Sequence, residues 1–258
     1  MSMKVASWNV NSLKVRLPQV LEWLQEKSPD VLCLQETKLS DEKFPVAELA
    51  EAGYHAIYHG QPTYNGVAIL SRSVPEDGRC DWPDGSDGQA RLCAGTFAGT
   101  RVVNVYVPNG QSLESDKYPY KLQWLERLRA LIAKELQQWP RLLLVGDFNI
   151  APDDRDVYDP VAWGEEVLCS PPERAALTAL LNLGLQDSWR HQHGDLQEWS
   201  WWDYRAAGFR RNRGLRIDLI LASNALMTKV QDVVIDRNAR AAERPSDHAP
   251  VLIQLEEV

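Results

Sequence analysis

Six short polar motifs, each at the end of an apolar run, constrain this chain more than any other feature. They read Trp8-Asn9-Val10-Asn11, Leu34-Gln35-Glu36-Thr37-Lys38, Tyr106-Val107-Pro108-Asn109-Gly110, Gly146-Asp147-Phe148-Asn149, Arg216-Ile217-Asp218 and Pro245-Ser246-Asp247-His248. Strand-like segments, Val102–Val105, Leu142–Val145 and Leu219–Leu221, sit beside them. A packed sheet gathers strand ends, so carboxylates, amides and a histidine from distant positions can converge on one rim. That inventory suits a metal ion, a phosphate and an activated water.

The pattern between the motifs predicts a strand–helix–strand unit at the start. Val5–Trp8 and Val31–Leu34 read as buried strands, and Leu17, Val20, Leu21 and Leu24 recur at helical spacing between them. Pro18 is placed in the first helical turn, where its missing N–H costs nothing. Another strand is expected at Val67–Leu70, followed by a hairpin of Leu92–Phe97 and Arg101–Val107 around Ala98-Gly99. A long helix is expected from about Tyr120 to Gln138, ended by Pro140, and a third from about Pro172 to Leu183, stopped by Gly184. The final third alternates strands and loops. The expected fold class is α/β, with two mixed sheets face to face and helices outside. Both halves run strand, helix, strand and polar tip, which suggests a duplicated architecture. No linker, repeat or low-complexity run divides the sequence, so residues 1–258 are expected to form a single domain, with 1–3 a disordered or added start before a native Met3.

A net charge of −8 argues against a protein coated all over by nucleic acid. It leaves room for a local basic patch: Arg205, Arg210, Arg211, Arg213 and Arg216 fall close together, interleaved with Tyr204 and Phe209. Such a run is either a solvated loop or a contact for a polyanion. No apolar run is long enough to span a bilayer and no signal-peptide pattern opens the chain, so the expected location is the cytoplasm, with no membrane partner. Cys33, Cys80, Cys93 and Cys169 have no CxxC spacing and are expected to be reduced thiols, neither paired nor bound to zinc.

Each motif carries two readings. Glu36 is either a ligand for Mg²⁺ or Mn²⁺, which prefer oxygen donors, or an exposed loop carboxylate. Asp147 and Asn149 project to one side if the segment is extended, one orienting a water and the other holding a phosphate oxygen; otherwise they form an Asx turn. His248 either donates to a phosphate oxygen, with Asp218 fixing its tautomer, or is a structural histidine on a backbone carbonyl. His191 and His193 read as loop residues. Trp199, Trp201, Trp202 and Tyr204 form either a core wedge or a platform beside an extruded nucleotide.

Taken in order from Lys4 to about Leu255, these segments resemble the exodeoxyribonuclease III branch of the endonuclease/exonuclease/phosphatase superfamily, which includes abasic-site endonucleases. Ser200-Trp201-Trp202-Asp203-Tyr204-Arg205 and Gly214-Leu215-Arg216-Ile217-Asp218 point to its bacterial exonuclease members. The resemblance implies a four-layer α/β sandwich with the site between the rims of the two sheets. It implies that Glu36, Asn9 and Asp247 hold Mg²⁺, with Mn²⁺ able to substitute. Asp147 would activate water or assist the leaving oxygen; Tyr106 and Asn149 would position the phosphate, and His248, oriented by Asp218, would stabilise its charge. Asn11 and Asn109 would be further site-lining groups, and Trp201, Leu215 and Ile217 would form a pocket for a base-free sugar; beside that site Arg205 and Arg211 of the basic run are expected to contact the substrate. The acidic Asp153-Asp154-Arg155-Asp156 departs from what a DNA-facing loop would carry.

The expected function is a Mg²⁺-dependent phosphodiesterase of base-excision repair, a monomer acting on double-stranded DNA at abasic sites and 3′ ends. Rival readings keep the scaffold for a lipid-headgroup or small-nucleotide substrate, or make the chain a silent RNA- or protein-binding relative. Trp201, Trp202 and the arginines favour DNA over the first, and the presence of Glu36, Asp147, Asn149, Asp247 and His248 argues against the second.

Overall fold

The computed structural model describes residues 2–256. Twelve strands form two six-stranded sheets. The first runs in the order β11 (Val230–Ile235), β12 (Val251–Leu255), β1 (Met3–Asn9), β2 (Val31–Gln35), β4 (Val67–Ser71), β3 (His55–His59). The second runs β5 (Arg79–Cys80), β6 (Leu92–Phe97), β7 (Thr100–Tyr106), β8 (Leu142–Asp147), β10 (Asp218–Ser223), β9 (Leu185–Asp187). The helices are α1 (Leu13–Lys27), α2 (Val46–Glu51), α3 (Lys117–Gln138), α4 (Pro160–Trp163), α5 (Pro171–Leu181), α6 (Ser188–His193), α7 (Asn224–Met227) and α8 (Arg237–Arg240).

Strand alternation explains the layering. In β8, Leu143 and Val145 enter the core between the sheets, whereas Leu142 and Leu144 face helices α3 and α5. In β2, Val31 and Cys33 face inward, and Leu32 and Leu34 pack under α1 and α2. Both strands are apolar on both faces, which reads in sequence as a continuous apolar run. The result is the four-layer α/β sandwich, helix–sheet–sheet–helix.

The duplication is visible in the topology. β1 and β2 pair in parallel across α1, and β7 and β8 pair in parallel across α3. Each parallel pair then continues into an antiparallel strand that lies inside its predecessor in sequence: β2–β4–β3 in one sheet, β8–β10–β9 in the other. The predicted hairpin closes with Phe97 opposite Thr100, and both turn residues, Ala98 (φ 47°) and Gly99 (φ 74°), are left-handed, the geometry that matches strand twist.

Several boundaries differ from expectation. α1 begins at Leu13, so Pro18 lies inside it instead of in its first turn. Tertiary contacts set that start: Leu13 is fully buried and its N–H bonds Thr37 O at 3.0 Å. Met3 opens β1 and is buried, so it is not part of a disordered start; Met1 lies outside the described residues. α3 starts three residues early at Lys117, and α5 covers Pro171–Leu181 behind a Ser170/Glu173 capping box. His191 and His193 lie on α6, not in a loop; the His193 ring packs on Trp189 and its Nε2 meets Val233 O at 2.6 Å. The expectation of four reduced thiols fails for two: Cys80 and Cys93 face each other across β5 and β6 and form a disulfide. A cross-strand partner leaves no spacing signature. Cys33 and Cys169 are free and buried.

Candidate active site at the rims of the two sheets

Parallel and antiparallel pairing together deliver the polar tips to one edge. β1 ends at Asn9 and its partner β2 ends at Gln35, so Glu36 emerges beside Asn9. In the other sheet Asp147 is the register partner of both Tyr106 and Asp218, which places three candidate site residues abreast. Gly146 makes that alignment possible: its φ is 147°, and a Cβ there would lie 1.9 Å from Val105 O, so any larger residue would push β8 off β7.

The two rims meet through hydrogen bonds. Asn9 Nδ2 donates to Glu36 Oε1 at 2.9 Å and to Asp147 Oδ2 at 2.8 Å, joining the first sheet to the second. His248 Nδ1 lies 2.8 Å from Asp218 Oδ2, and its Nε2 faces Asp147 Oδ2 at 3.7 Å. Ser200 Oγ donates to the same Asp218 oxygen at 2.7 Å while accepting from Ile217 N and Asp218 N, so the carboxylate is fixed from two directions. Asn149 is left-handed (φ 48°), and its N–H bonds Asp147 Oδ1 at 2.9 Å. The Asx turn and the converging side chains are therefore one structure. Asn109 Nδ2 reaches Asn149 Oδ1 at 3.0 Å.

Glu36 (φ 51°) and Lys38 (φ 54°) are also left-handed, a conformation costing roughly 1–3 kcal/mol each in a non-glycine residue. Neighbouring backbone holds them there: Thr37 N and Lys38 N bond Gly66 O and Asn65 O, and Ser12 N bonds Glu36 O. Lys38 Nζ bridges Glu36 Oε2 (3.0 Å) and Asn11 Oδ1 (2.6 Å).

Glu36, Asp147 and His248 each offer a ligand atom within 4.8 Å of the others, the group among the described residues that could hold a metal ion. The two carboxylates are hard oxygen donors of the kind a divalent cation takes, and His248, bonded to Asp218 through Nδ1, borders them. Asn9 enters the cluster through its amide nitrogen. Asp247 is turned away from it, accepting from Asn11 Nδ2 and Trp201 Nε1, both at 3.0 Å.

Electrostatics follow from burial. It pushes the Asp147 carboxyl up to about 7, the His248 imidazolium pulling it back and Asp218 adding to the rise. Burial alone would lower His248, but Asp218, Asp147 and Asp247 outweigh it and push it up to about 10. Burial, then Glu36 and Asp147, raise the Tyr106 hydroxyl well above its ordinary value, so it remains a donor. Asp147 and His248 both have raised values, so the folded chain binds their protons more tightly than the unfolded chain, whose values are about 3.9 and 6.5. The resulting stability is complete below those unfolded values and is lost as pH climbs through about 7 and about 10. Metal-free protein is accordingly expected to lose several degrees of Tm between about pH 6 and 10. Asp218→Asn should flatten the upper part of that fall. A flat calorimetric profile in chelator for the unsubstituted protein would contradict the assignment.

Trp201 stands half-buried at the rim, bridged to Leu215 and His248. Leu215 and Ile217 are buried beside it with Ala151, Val157, Leu168 and Cys169, giving an apolar wall next to His248. Trp199 and Trp202 belong to the inter-sheet core, so the aromatic cluster is wedge and rim together. The arginines also divide. Arg205, paired with Asp203, and Arg210, Arg211 and Arg213 are exposed. Arg216 is buried, with Nε 2.7 Å from Asp156 and its other nitrogens on Asp187, and is no part of a surface patch. Of the acidic segment, Asp156 is a fully buried partner of Arg190 and Arg216, while Asp153 and Asp154 pair with Arg155 and Arg174 at the surface. On the other side of the site, Tyr106 and Asn109 open into a cavity of about 630 Å³ that Arg91, Lys117 and Tyr64 also line. Sequence reasoning assigned no role to Lys38 or Ser200, although both lie inside motifs it singled out.

A model of the endonuclease/exonuclease/phosphatase family matches residues 6–248, which contain every rim residue described above. The chain belongs to the endonuclease/exonuclease/phosphatase family. Within the family it is 38% identical to the exodeoxyribonuclease III of Haemophilus influenzae, over 96% of this chain and 98% of that one. Among solved structures it is similar to a 3′–5′ exonuclease from Neisseria meningitidis, with 50% identity and a TM-score of 0.97 over 99% of this chain and 100% of that one. An AP endonuclease from Archaeoglobus fulgidus follows at 39% identity and a TM-score of 0.94, again over 99% and 100%. Nucleases of this family are metal-dependent, in keeping with the acidic cluster. No helix among the described residues is long and apolar enough to cross a membrane.

Proposed function

We propose that this protein is a Mg²⁺-dependent nuclease of DNA base-excision repair that cuts duplex DNA 5′ to abasic sites and removes 3′ nucleotides and 3′ blocking groups, leaving a 3′ hydroxyl. The observation that carries the reading is the His248–Asp218 and Asp147–Asn149 geometry standing directly against the apolar wall of Trp201, Leu215 and Ile217. Groups suited to a phosphate and an apolar wall suited to a base-free sugar adjoin at one rim.

In this reading the scissile phosphate lies among His248, Asn149, Asn109 and Tyr106. His248, cationic because three carboxylates surround it, donates from Nε2 to a non-bridging oxygen, where charge grows in the transition state. Asp218 and Ser200 hold the ring so that Nε2 is the nitrogen presented. Tyr106 and the asparagine amides add donors around the phosphorus. Asp147 accepts a proton from the attacking water, or governs the proton of the departing oxygen; its raised affinity for a proton suits either task. Glu36, with Asp147 beside it, would hold the metal, Asn9 orients both carboxylates through its amide N–H groups, and Asp247 supports the site through Asn11 and Trp201. A bound Mg²⁺, or Mn²⁺ in its place, would supply positive charge for the phosphate oxygens. Exposed Arg205 and Arg211 meet the DNA backbone beyond Trp201. The protein acts as a cytoplasmic monomer, at the nucleoid by virtue of its substrate.

The test compares an abasic duplex, a recessed 3′ end and a 3′-phosphate terminus across a Mg²⁺ titration. Cleavage is expected to vanish in chelator and return with Mg²⁺ or Mn²⁺. Glu36→Ala should raise the half-saturating Mg²⁺ concentration by roughly 10–100-fold, the scale seen when a metal site loses a supporting group. Failure to cleave any of the three DNAs in saturating Mg²⁺ overturns the reading.

A further inference from the structure

Behind the two asparagines lies a buried charge that the mechanism above does not use. Lys121, on α3, is fully buried, and its ammonium has three hydrogens for three acceptors. These are the main-chain oxygens of Asn149 (2.6 Å) and Asn109 (3.1 Å) and the Glu173 carboxylate. Glu173, on α5, is also fully buried. Its other partners are Leu168 N and Ser170 N, both at 3.1 Å, and Ser170 Oγ. Leu168 and Cys169 in turn belong to the apolar wall with Leu215 and Ile217.

We propose that Lys121, braced by Glu173, is a positioning residue that sets the spacing between the phosphate-facing asparagines and the wall of the sugar pocket. The proposal rests on the function proposed above. One ammonium bonded to the carbonyls of Asn109 and Asn149 fixes both peptide planes, and with them the directions of both side chains. An apolar side chain of equal volume would fill the space but leave the buried Asn149 carbonyl and the part-buried Asn109 carbonyl without this donor. A buried ion pair adds little stability over a well-packed apolar pair. Here each of its hydrogen bonds ends on a segment that borders the site, so its effect falls on geometry. Burial favours the neutral amine, and Glu173 opposes that by pairing with the ammonium.

Lys121→Met alone strands the Glu173 charge and is expected to fold poorly, so the Lys121→Met/Glu173→Gln double variant carries the test. Two readouts are needed. The first is the side-chain amide spectrum of [¹⁵N]asparagine-labelled full-length protein, which requires no substrate. In the double variant the Asn109 and Asn149 signals should shift and exchange faster with solvent. The second is steady-state cleavage of an abasic duplex, in which kcat should fall roughly 10–100-fold, as misplacement of a positioning group by about 1 Å does, while KM changes less than about threefold. A folded double variant with wild-type amide signals overturns the proposal, and so do shifted signals accompanied by a wild-type kcat. If the unsubstituted protein cleaves no DNA, the function proposed above fails, and the amide signals alone then decide the clamp.

Discussion

Asp147→Asn lowers kcat on an abasic duplex by roughly 10²–10⁴-fold, the range for loss of a positioned general acid or base, while DNA binding changes little. Two features of the site lead to this expectation. Asp147 accepts from Asn9 Nδ2 through one oxygen and from Asn149 N through the other. An amide can accept at only one of those places and turns a donor toward a donor at the other. The substitution therefore removes the carboxylate proposed to handle the proton and also loosens either the Asn9 bridge between the sheets or the Asn149 turn. Burial disfavours the Asp147 charge, which offsets part of the lost hydrogen bond, so Tm should move by only a few degrees. Steady-state cleavage with saturating Mg²⁺, together with a thermal melt, checks both halves. A variant that retains cleavage within about fivefold of wild type would remove Asp147 from the chemistry, since even the low end of the range is larger.

Arg216→Met is expected to destabilise the protein by about 3–5 kcal/mol, the scale for breaking a buried ion pair by deleting one partner. The Arg216 side chain is almost completely buried and binds Asp187 with both terminal nitrogens, at 3.1 and 2.7 Å, while its Nε binds Asp156. Arg190 still neutralises Asp156 in the variant, but Asp187 loses both of these bonds. For a chain of this size the loss corresponds to a fall in Tm of about 10 °C. Arg213→Met, an exposed neighbour, should move Tm by less than about 2 °C, because surface substitutions usually stay within about 0.5 kcal/mol. Equal melting of the two variants would contradict the buried-network assignment.

Periodicity made the sandwich readable. β2 and β8 are apolar on both faces, so they stand out as runs, and α3 and α5 carry proline or glycine close to their ends. The start of α1 was not readable, because Leu13 is held by Thr37 across the fold. The rim residues were identifiable one by one from their motifs, and their mutual distances were not. Nothing local says that Asn9 would turn its amide to Glu36 and Asp147, or that Asp247 would face Trp201. Arg216 sits in an arginine-rich stretch and looks like its neighbours until Asp156 and Asp187 arrive from distant segments. Lys121 was the least visible, a lysine in an amphipathic helix whose three acceptors come from three other segments.

The position of β1 between β2 and β12 has a consequence for the order in which the protein can be made. During synthesis Glu36 and Asp147 leave the ribosome long before His248, and until Val251–Leu255 emerges β1 has an open edge where β12 will pair. Val251, which opens the strand that closes that edge, lies three residues after His248, so the imidazole at the rim and the backbone partner of β1 become available together.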